Sequence, residues 1–443
     1  MQFCKKNTLS LQSKTHRNDI VMTSNKYTQV IADQRIEVEQ FELSEICNRP
    51  EEALVDLDSP LAQIVIGVRR CGKSTLCHTV LKKSGLNYAY VNFDDERFAE
   101  LSAEDLNDVL ESLYMVYGDF NHLFLDEIQN VKGWNLFVNR LLRQKMHLVI
   151  TGSNAKLLSS ELSTYLTGRY NQIELFPFSF TEYLRLNEIK LNALTTKEIA
   201  FQKRAFDEYI VNGGFPELLN IKDHKGYIKQ LVNSIVTVDI RRRFKIRYLD
   251  ALVKITNYMI ANFAQEVNYK AVAETFGLGS QHTAENYINY LRQTYLLVGI
   301  NKFSFKAKER VRAEKMYLID PALLTQQDNN LTGDNIGWRL ENVIYLELLR
   351  RKRVSDIDIY YYRKSYEIDF VLSNGLTVKE LIQVSAFVDK NKTFKRECAA
   401  LIKGAKELKC NNLTLVTMGA SKTHDIDGVS IKEVNVIDWL LGK

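Results

Sequence analysis

Short apolar runs alternate with helical repeats over the first half of this chain. Between about residues 40 and 220, each apolar run of strand length is followed by a stretch in which apolar residues recur every three to four positions. The runs that predict strands include Gln63 to Ile66, Leu86 to Phe93, Asn121 to Ile128 and Leu148 to Asn154. This alternation is typical of a parallel sheet with helices on both faces, so we predict an α/β domain over residues 40–220.

The pattern changes from about residue 245, where short amphipathic helices replace the alternation. They are predicted over residues 251–263, 269–276 and 281–295. A Gly-Leu-Gly turn separates the last two, as in a helix-turn-helix, and Ser280 can cap the third helix. Because residues 301–317 resemble a two-stranded wing, we predict an all-α, winged-helix module over 245–320. A helix and several strands then predict a small α/β domain over 335–443.

The strongest chemical signal follows the first predicted strand, where the chain reads Gly-Val-Arg-Arg-Cys-Gly-Lys-Ser-Thr from Gly67 to Thr75. This is a phosphate-binding P-loop, and it lies between a strand and a helix as the motif requires. Glycines let backbone N–H groups face a phosphate, and the helix adds the positive end of its dipole. Lys73 would contact the β- and γ-phosphates, and the Ser74 hydroxyl would bind Mg²⁺. The predicted nucleotide-binding residues are Gly67, Arg70, Cys71, Gly72, Lys73, Ser74 and Thr75.

Two later strands end in groups suited to hydrolysis. Asp126 would complete the Mg²⁺ site, and Glu127 would orient and deprotonate the attacking water. Two exposed acids at the end of a buried strand are the alternative interpretation. The next strand ends in Thr-Gly-Ser-Asn, so Ser153 or Asn154 could contact the γ-phosphate, although a simple turn explains the same residues.

In this order the motifs resemble those of the bacterial and archaeal AAA-type ATP-binding proteins, in which a P-loop ATPase domain precedes a C-terminal domain of unknown function. The resemblance covers most of residues 40–443. Besides the motifs above, it rests on Phe93 to Glu96, Thr167 to Arg169, Leu175 to Phe180 and Asn212 to Pro216. It implies ATPase activity with ATP and Mg²⁺. It also implies that Arg169 reaches a γ-phosphate, often that of a neighbouring subunit; a surface ion pair is the alternative.

Polar side chains of the predicted winged helix indicate double-stranded DNA as a partner. Gln281, His282, Thr283 and Asn286 lie in the third helix and could contact base edges. Six cations of the predicted wing could contact phosphates, namely Lys302, Lys306, Lys308, Arg310, Arg312 and Lys315. Winged helices also serve as protein-contact or spacer modules, which is the alternative.

The last domain looks like the restriction-endonuclease fold, in which an Asp, then a Glu or Gln, then a Lys two residues later hold a metal ion and activate water. Glu341, Asp369 and Gln383 match the acidic and amide positions, but Ser385 stands where the lysine belongs. Serine cannot supply the positive charge that stabilises hydroxide and the pentavalent phosphate. Lys379 lies too far along its strand, and the other cations that could substitute are Lys390, Lys392 and Arg396. We therefore expect a degenerate nuclease-like domain, with metal-dependent cleavage as the alternative.

Composition narrows the class of protein without adding a function. The 443 residues carry 59 Lys and Arg against 54 Asp and Glu, a balance too even to indicate nucleic-acid binding by itself. Six scattered cysteines without CxxC spacing suit a reducing compartment, and no apolar run approaches the roughly 20 residues that span a membrane. We therefore expect a cytoplasmic protein. Residues 1–28 are polar and basic, which predicts a disordered tail, and Met22 is a candidate translation start.

The sequence thus predicts a Mg²⁺-dependent ATPase whose nucleotide state is relayed to the C-terminal half of the chain. Three tasks for that half stay open. It could be a DNA-associated motor, a metal-dependent nuclease gated by ATP, or a switch that binds further copies of the chain or an unidentified protein.

Overall fold

The computed structural model describes residues 26–43, 46–153, 166, 168–306, 314–326, 336–386 and 391–443. These residues form a five-stranded and a nine-stranded sheet with helices packed against both. The helices are α1 (Thr28–Glu39), α2 (Lys73–Ser84), α3 (Leu106–Tyr117), α4 (Trp134–Arg143), α5 (Phe180–Leu186), α6 (Thr196–Asn212), α7 (His224–Ser234), α8 (Leu249–Ala261), α9 (Tyr269–Thr275), α10 (Gln281–Gln293), α11 (Ile336–Lys352), α12 (Asn391–Leu408) and α13 (Val436–Leu440).

The first sheet is parallel throughout, as the sequence predicted. Its strands are β1 (Ala62–Ile66), β2 (Tyr88–Asn92), β3 (His122–Asp126), β4 (His147–Gly152) and β5 (Tyr170–Glu174). They lie in the order β2-β3-β4-β1-β5, so β4 separates the P-loop strand from the strand that ends in Asp126. Because all strands run the same way, the carboxyl ends of β1, β3 and β4 meet at one edge of the sheet.

Helix α1 precedes the predicted start of this domain, yet it packs against α3 and β2. The Gln34 side chain donates to the carbonyl of Asn92 at 3.1 Å and accepts from its N–H at 2.9 Å. Gln34 is almost fully buried, so these bonds satisfy a polar group that burial would otherwise penalise. The sequence pattern did not predict α1, because the apolar residues of this helix are not confined to one face.

A helical segment carries the chain from the first sheet to the second. A π-helical stretch, Ile235–Ile240, continues α7 into Arg241–Arg243, after which α8, α9 and α10 follow. Ser280 caps α10 by accepting from the N–H of Thr283 at 3.2 Å. The apolar face of α10 is buried, as its periodicity predicted, and comprises Ala284, Tyr287, Ile288 and Leu291.

The second sheet joins the predicted wing to the C-terminal strands. Its strands are β6 (Gln265–Glu266), β7 (Leu297–Lys302), β8 (Glu314–Leu318), β9 (Asp358–Arg363), β10 (Glu367–Asn374), β11 (Thr377–Ser385), β12 (Leu413–Thr417), β13 (Lys422–Ile426) and β14 (Val429–Asn435). Strand β7 pairs with β8 in antiparallel fashion and with β9 in parallel fashion, the latter at Asn301 and Lys302. The ribbon expected to project as a wing is therefore continuous with the sheet of the last domain.

A pair of glycines after α6 forms part of the joint between the two halves. The N–H of Gly214 donates to the Asp320 carboxylate at 2.8 Å, just after β8. Gly213 has φ 72°, and a Cβ there would lie 1.7 Å from Asp320 Oδ1. Burial raises the pKa of Asp320 to about 7. Glycine is thus required both for the turn and for the close approach of this carboxyl group.

No helix within the described part of the chain is long and apolar enough to cross a membrane.

Candidate functional site

The P-loop connects β1 to α2 at the carboxyl edge of the first sheet. A Cβ at Gly67 would lie 2.1 Å from the carbonyl oxygen of Leu175, so only glycine fits there. Gly72 adopts the left-handed conformation, with φ 95°, immediately before the first turn of α2. These two constraints turn the backbone so that α2 starts with free N–H groups at the loop, which is the geometry that binds a phosphate.

Lys73 lies in the first turn of α2 with only 4% of its surface exposed. Its ammonium donates to the carbonyl of Val68 at 3.3 Å and lies 3.5 Å from a carboxylate oxygen of Glu127. Burial alone would lower the pKa of Lys73, but the charges of Glu127 and Asp126 raise it above its ordinary value. The lysine side chain is therefore held as a cation next to the P-loop backbone.

Asp126 ends β3 and faces the hydroxyl of Ser74, which donates to it at 3.0 Å. Thr151 from β4 also donates to this carboxylate, and the Tyr90 hydroxyl donates to its other oxygen at 3.3 Å. Burial, followed by the charge of Glu127, raises the pKa of Asp126 to about 6. A hydroxyl and a carboxylate at hydrogen-bonding distance form the oxygen donor pair that suits Mg²⁺.

Glu127 adopts a left-handed backbone conformation, with φ 51°, which is uncommon outside glycine. Its N–H donates to Thr151 Oγ1 at 3.0 Å, and its carboxylate accepts from Gln129. Burial would raise the pKa of Glu127, but the charge of Lys73 and the Gln129 bond lower it below its ordinary value. This turn holds an ionised carboxylate beside Lys73, as a general base requires.

Arg49, which belongs to no sequence motif, contacts the P-loop and holds it against the residues that follow β5. Arg49 donates to the carbonyl of Cys71 at 3.2 Å and to that of Phe176 at 2.8 Å, and it lies 2.6 Å from Glu182. It is buried, and its guanidinium also stacks over the ring of Phe178. No local pattern could have identified Arg49, because its partners are separated from it by up to 133 residues in the sequence.

A second missed arginine approaches the site from the segment before α8. Arg243 donates to the Ser153 hydroxyl at 3.0 Å, and its other terminal nitrogen, Nη1, is buried without a hydrogen-bond partner among the described residues. Burial lowers the pKa of Arg243 against the opposing charges of Asp239 and Glu127. The sequence signal is the Arg-Arg-Arg run from Arg241 to Arg243, but the run alone does not distinguish Arg243 from its two neighbours.

A bridge between the same segment and the P-loop lies beside Arg243. Arg69 pairs with Asp239 at 3.0 Å and with Asp94 at 3.0 Å. Asp94 also accepts from Asn130 at 3.2 Å. Arg69 therefore holds the P-loop to the turn after β2 through Asp94 and to the connecting segment through Asp239.

A cavity of about 740 Å³ opens beside the start of α2. Gly72 and Thr75 of the P-loop and α2 line it, and so do Cys47, Phe178 and Leu219. Its position next to the P-loop and its mixed apolar and polar walls suit a nucleoside attached to a phosphate chain.

The remaining predicted nucleotide-binding side chains point elsewhere. Cys71 is buried in the core, and its thiol donates to the carbonyl of Leu175. The Arg70 side chain pairs with Glu217 at 2.8 Å on the surface, although its φ of 64° keeps its backbone within the loop. These two residues could contribute backbone N–H groups only. Asn154 lies outside the described residues.

The structure places Arg169 at the edge of the sheet opposite its own P-loop. Arg169 is exposed just before β5, and its carbonyl accepts from the N–H of Ala62 at the start of β1. The P-loop begins beyond Ile66, roughly 13 Å further along the strand at the opposite edge of the sheet. The prediction that Arg169 contacts a γ-phosphate, in this subunit or a neighbouring one, stays a prediction.

The predicted DNA-contacting residues divide into two groups. Gln281 and His282 are exposed at the start of α10, where Thr283 is half-buried. Lys306 is exposed, whereas Lys308, Arg310 and Arg312 lie outside the described residues.

The prediction that Lys315 contacts DNA phosphates is wrong. Lys315 is buried, and its ammonium lies 2.6 Å from Glu341 and 2.8 Å from Glu367. Four consecutive residues of β8, Lys315 to Leu318, are buried, so a side chain at position 315 is enclosed whichever face of the sheet it occupies.

The three predicted nuclease residues do converge. Asp369 on β10 and Gln383 on β11 are linked by a bond from the Asp369 N–H to the Gln383 side-chain oxygen at 3.4 Å. Together with Glu341 of α11 they line a cavity of about 590 Å³, and Ser385 lines it too. Burial and the charge of Glu341 raise the pKa of Asp369.

Comparison with known proteins matches both halves of the chain. A family model for the AAA domain matches residues 59–184, and one for a domain of unknown function (DUF8612) matches residues 203–333. The uncharacterized protein MJ1544 of Methanocaldococcus jannaschii is 34% identical over 365 residues, 80% of each chain. An uncharacterized protein of Haemophilus influenzae is 27% identical over 398 residues, 87% of this chain and 95% of its own length.

Likeness to solved structures is weaker. The RuvB Holliday junction branch migration motor of Thermotoga maritima aligns over 61% of this chain and 89% of its own, with 16% identity and a TM-score of 0.28. AMPPCP-bound DnaA from Aquifex aeolicus aligns over 58% and 90%, with 16% identity and a TM-score of 0.25. Scores this low carry no argument about function. The AAA domain model covers the P-loop, and the match to MJ1544 covers 80% of each chain. The chain belongs to the family of AAA-domain proteins that includes MJ1544.

Proposed function

We propose that this protein binds ATP with Mg²⁺, hydrolyses it, and relays the state of the nucleotide to its C-terminal half. The observation that carries the proposal is the convergence of Lys73 and Ser74, at the start of α2, with Asp126 and Glu127, at the end of β3. The pairs Lys73–Glu127 at 3.5 Å and Ser74–Asp126 at 3.0 Å join the P-loop to the end of β3.

The Ser74 hydroxyl and the Asp126 carboxylate are hard oxygen donors that fit Mg²⁺. When bound there, Mg²⁺ would neutralise charge on the phosphate oxygens. The N–H groups at the start of α2 and the Lys73 ammonium would bind the phosphate chain, and the neighbouring cavity would hold the nucleoside.

Glu127 supplies the base. In this structure Lys73 pairs with Glu127, so movement of the lysine towards a phosphate would release the carboxylate to accept a proton from water. The left-handed turn and the Thr151 bond fix the backbone of Glu127 while its side chain changes partner. This exchange couples arrival of the nucleotide to formation of the active base.

Arg243 is the residue that we propose to sense the γ-phosphate within the same chain. Its buried Nη1 has no partner among the described residues, and its Nη2 is anchored on Ser153 at the end of β4. Because Arg243 belongs to the segment that leads into α8, binding of a phosphate to it would shift that segment. Arg169 would act only across an interface between subunits, which makes a homo-oligomer part of the proposal.

The C-terminal half is proposed to include a winged helix that binds double-stranded DNA. The order of α8, α9, α10, β7 and β8 supports the winged helix, and exposure of Gln281 and His282 at the start of α10 supports contact with DNA. With Lys315 removed from the contact set, Lys302 and Lys306 are the described lysines of the wing that we expect to contact phosphate.

Steady-state ATP hydrolysis by the full chain, with and without duplex DNA, tests the proposal. We expect Mg²⁺-dependent turnover that Lys73→Ala abolishes, and stimulation by DNA that Gln281→Ala with His282→Ala weakens. Absence of turnover in the unmodified protein under all these conditions would contradict the ATPase. An ATP hydrolysis rate that is the same with and without DNA would contradict the proposal that DNA is a partner. It would favour a switch that binds a protein partner.

A further inference from the structure

The cavity of about 590 Å³ in the C-terminal half contains a lysine that the sequence places in a different module. Lys315 reaches it from β8, although the other polar residues of the cavity come from α11, β10, β11 and α12. The parallel pairing of β7 with β9 makes this possible, because it brings β8 into the same sheet as β10 and β11.

Lys315 is placed among the three residues that match a nuclease centre. Its ammonium contacts Glu341 at 2.6 Å and Glu367 at 2.8 Å, two residues before Asp369. An ammonium has three N–H groups, and these two carboxylates accept from two of them. The third N–H is left for a further acceptor, such as a phosphate oxygen.

Ser385 faces the same cavity as Lys315. Position 385 is where a restriction-endonuclease fold would carry its lysine, and in this chain a different strand, β8, supplies a lysine to the same cavity. The cavity is also bordered by Arg363, Arg396 and Lys403. Cations at the rim suit a polyanion, since they would offset the charges of its phosphates.

We propose that this cavity is a second hydrolytic site, which cleaves phosphodiester bonds of nucleic acid and in which Lys315 replaces the lysine missing at position 385. A water oxygen bonds to phosphorus and the bond from phosphorus to one ester oxygen breaks. The attacking water loses a proton to solvent and the leaving oxygen gains one, so hydrolysis needs no further reactant. Lys315 stabilises the negative charge that develops on the phosphate.

The donor set fits a divalent cation. Among the described residues, no group of three or more His, Cys, Asp or Glu side chains is arranged to hold a metal ion. Mg²⁺ requires fewer, since it is commonly bound by one or two carboxylates together with waters and substrate phosphates. Asp369 and the side-chain oxygen of Gln383 would hold such an ion, which would neutralise charge on the phosphate.

The main competing explanation is structural, because a buried lysine also neutralises Glu341. Moving the lysine separates the two. In a Lys315→Ala, Ser385→Lys double variant, the cation returns to the cavity from β11. If catalysis requires a cation in the cavity, cleavage by the double variant should recover to within about tenfold of the unmodified protein. If Lys315 serves only to pair with Glu341, cleavage should stay low, because a lysine at position 385 would not restore that ion pair in the same geometry.

The experiment incubates the full chain with supercoiled plasmid, linear duplex DNA, single-stranded DNA and duplex RNA, each with Mg²⁺ or Mn²⁺ and without ATP. Cleavage of at least one DNA or RNA substrate is expected, and the comparison between substrates identifies the nucleic acid. Asp369→Asn and Lys315→Ala should lower the rate by about 100-fold or more. Lys379→Ala, an exposed lysine of β11, is the matched control and should retain cleavage.

Binding of Mn²⁺ measured by calorimetry provides a readout that does not depend on activity. Asp369→Asn should lose the ion, whereas Lys315→Ala should keep it, because the lysine acts on the phosphate. Lys73→Ala should cleave normally, so failure of the ATPase proposal would leave this one standing. Lack of cleavage by the unmodified protein on every substrate would overturn the proposal, as would a folded double variant that binds Mn²⁺ but stays inactive.

Discussion

Lys73 and Lys315 are both buried lysines beside a glutamate, but they reach those places by different routes. Lys73 lies 3.5 Å from Glu127, and its neighbours in the chain form the rest of the P-loop. Lys315 lies 2.6 Å from Glu341 and 2.8 Å from Glu367, so its partners come from two distant elements, helix α11 and strand β10. The first site is a local motif that tertiary structure completes, whereas the second exists only once the sheet has formed.

The largest expected effect tests whether the two sites are chemically separate. Glu127→Gln removes the proposed base while keeping the shape of the side chain, so ATP hydrolysis should fall by about 100-fold or more with ATP binding retained. Glu341→Gln, the matched change at the other lysine, should leave ATP hydrolysis unchanged. Hydrolysis rates and nucleotide binding of both variants would show this, and a loss of hydrolysis in Glu341→Gln would show that the sites act as one.

The second prediction compares the stability that each lysine supplies. Lys315→Met leaves Glu341 buried without its cation, which should destabilise the C-terminal sheet by on the order of 3 kcal/mol. Lys73→Met should have a smaller effect, because its ion pair is longer and Glu127 is partly open to solvent. Amide hydrogen exchange resolves the two sheets, and slower or equal exchange of β10 in Lys315→Met would contradict this account.

The third prediction concerns acid, to which the first sheet should be sensitive through one buried histidine. His78 lies 4.6 Å from the ring of Tyr90 and 4.9 Å from that of Phe124, and burial lowers its pKa to about 4. The unfolded chain takes up this proton near its ordinary pKa of 6.5, before the folded chain does, so stability falls as the pH falls through this interval.

Between pH 7 and pH 5 the loss from His78 alone should be about 2 kcal/mol. His78→Phe keeps an aromatic ring but cannot take up a proton, so its unfolding free energy should depend less on pH by that amount. Urea unfolding at several pH values provides the measurement. Equal pH slopes for the two proteins would mean that His78 is not the group responsible.

The same contrast explains which features the sequence could predict. The P-loop and the Asp126-Glu127 pair are contiguous, and the alternation of strands and helices made their convergence at one sheet edge predictable. Lys315 was assigned to the wing because the pairing of β7 with β9 involves only two residue pairs and no recognisable motif. Arg49 was missed for a related reason, since its role depends on Glu182 and Phe176, which are distant in the chain.

The smallest expected effect tests whether the segment that connects the two halves senses the nucleotide. Arg243→Ala removes a half-buried guanidinium whose Nη1 is buried and has no partner among the described residues, so kcat for ATP should fall by about tenfold. Arg242→Ala, its exposed neighbour, is the matched control and should change kcat less than about twofold.

A structural role for Arg243 would instead lower stability and affect ATP binding and kcat together, because Ser153 would lose its donor. Arg243→Lys separates the possibilities: lysine keeps the charge but cannot bond to Ser153 and a phosphate at the same time in the planar geometry of a guanidinium. If the arginine senses phosphate, kcat should stay low in Arg243→Lys while ATP affinity and the unfolding midpoint recover. Recovery of kcat as well would show that a positive charge near Glu127 suffices, and the segment before α8 would then have no part in relaying the state of the nucleotide.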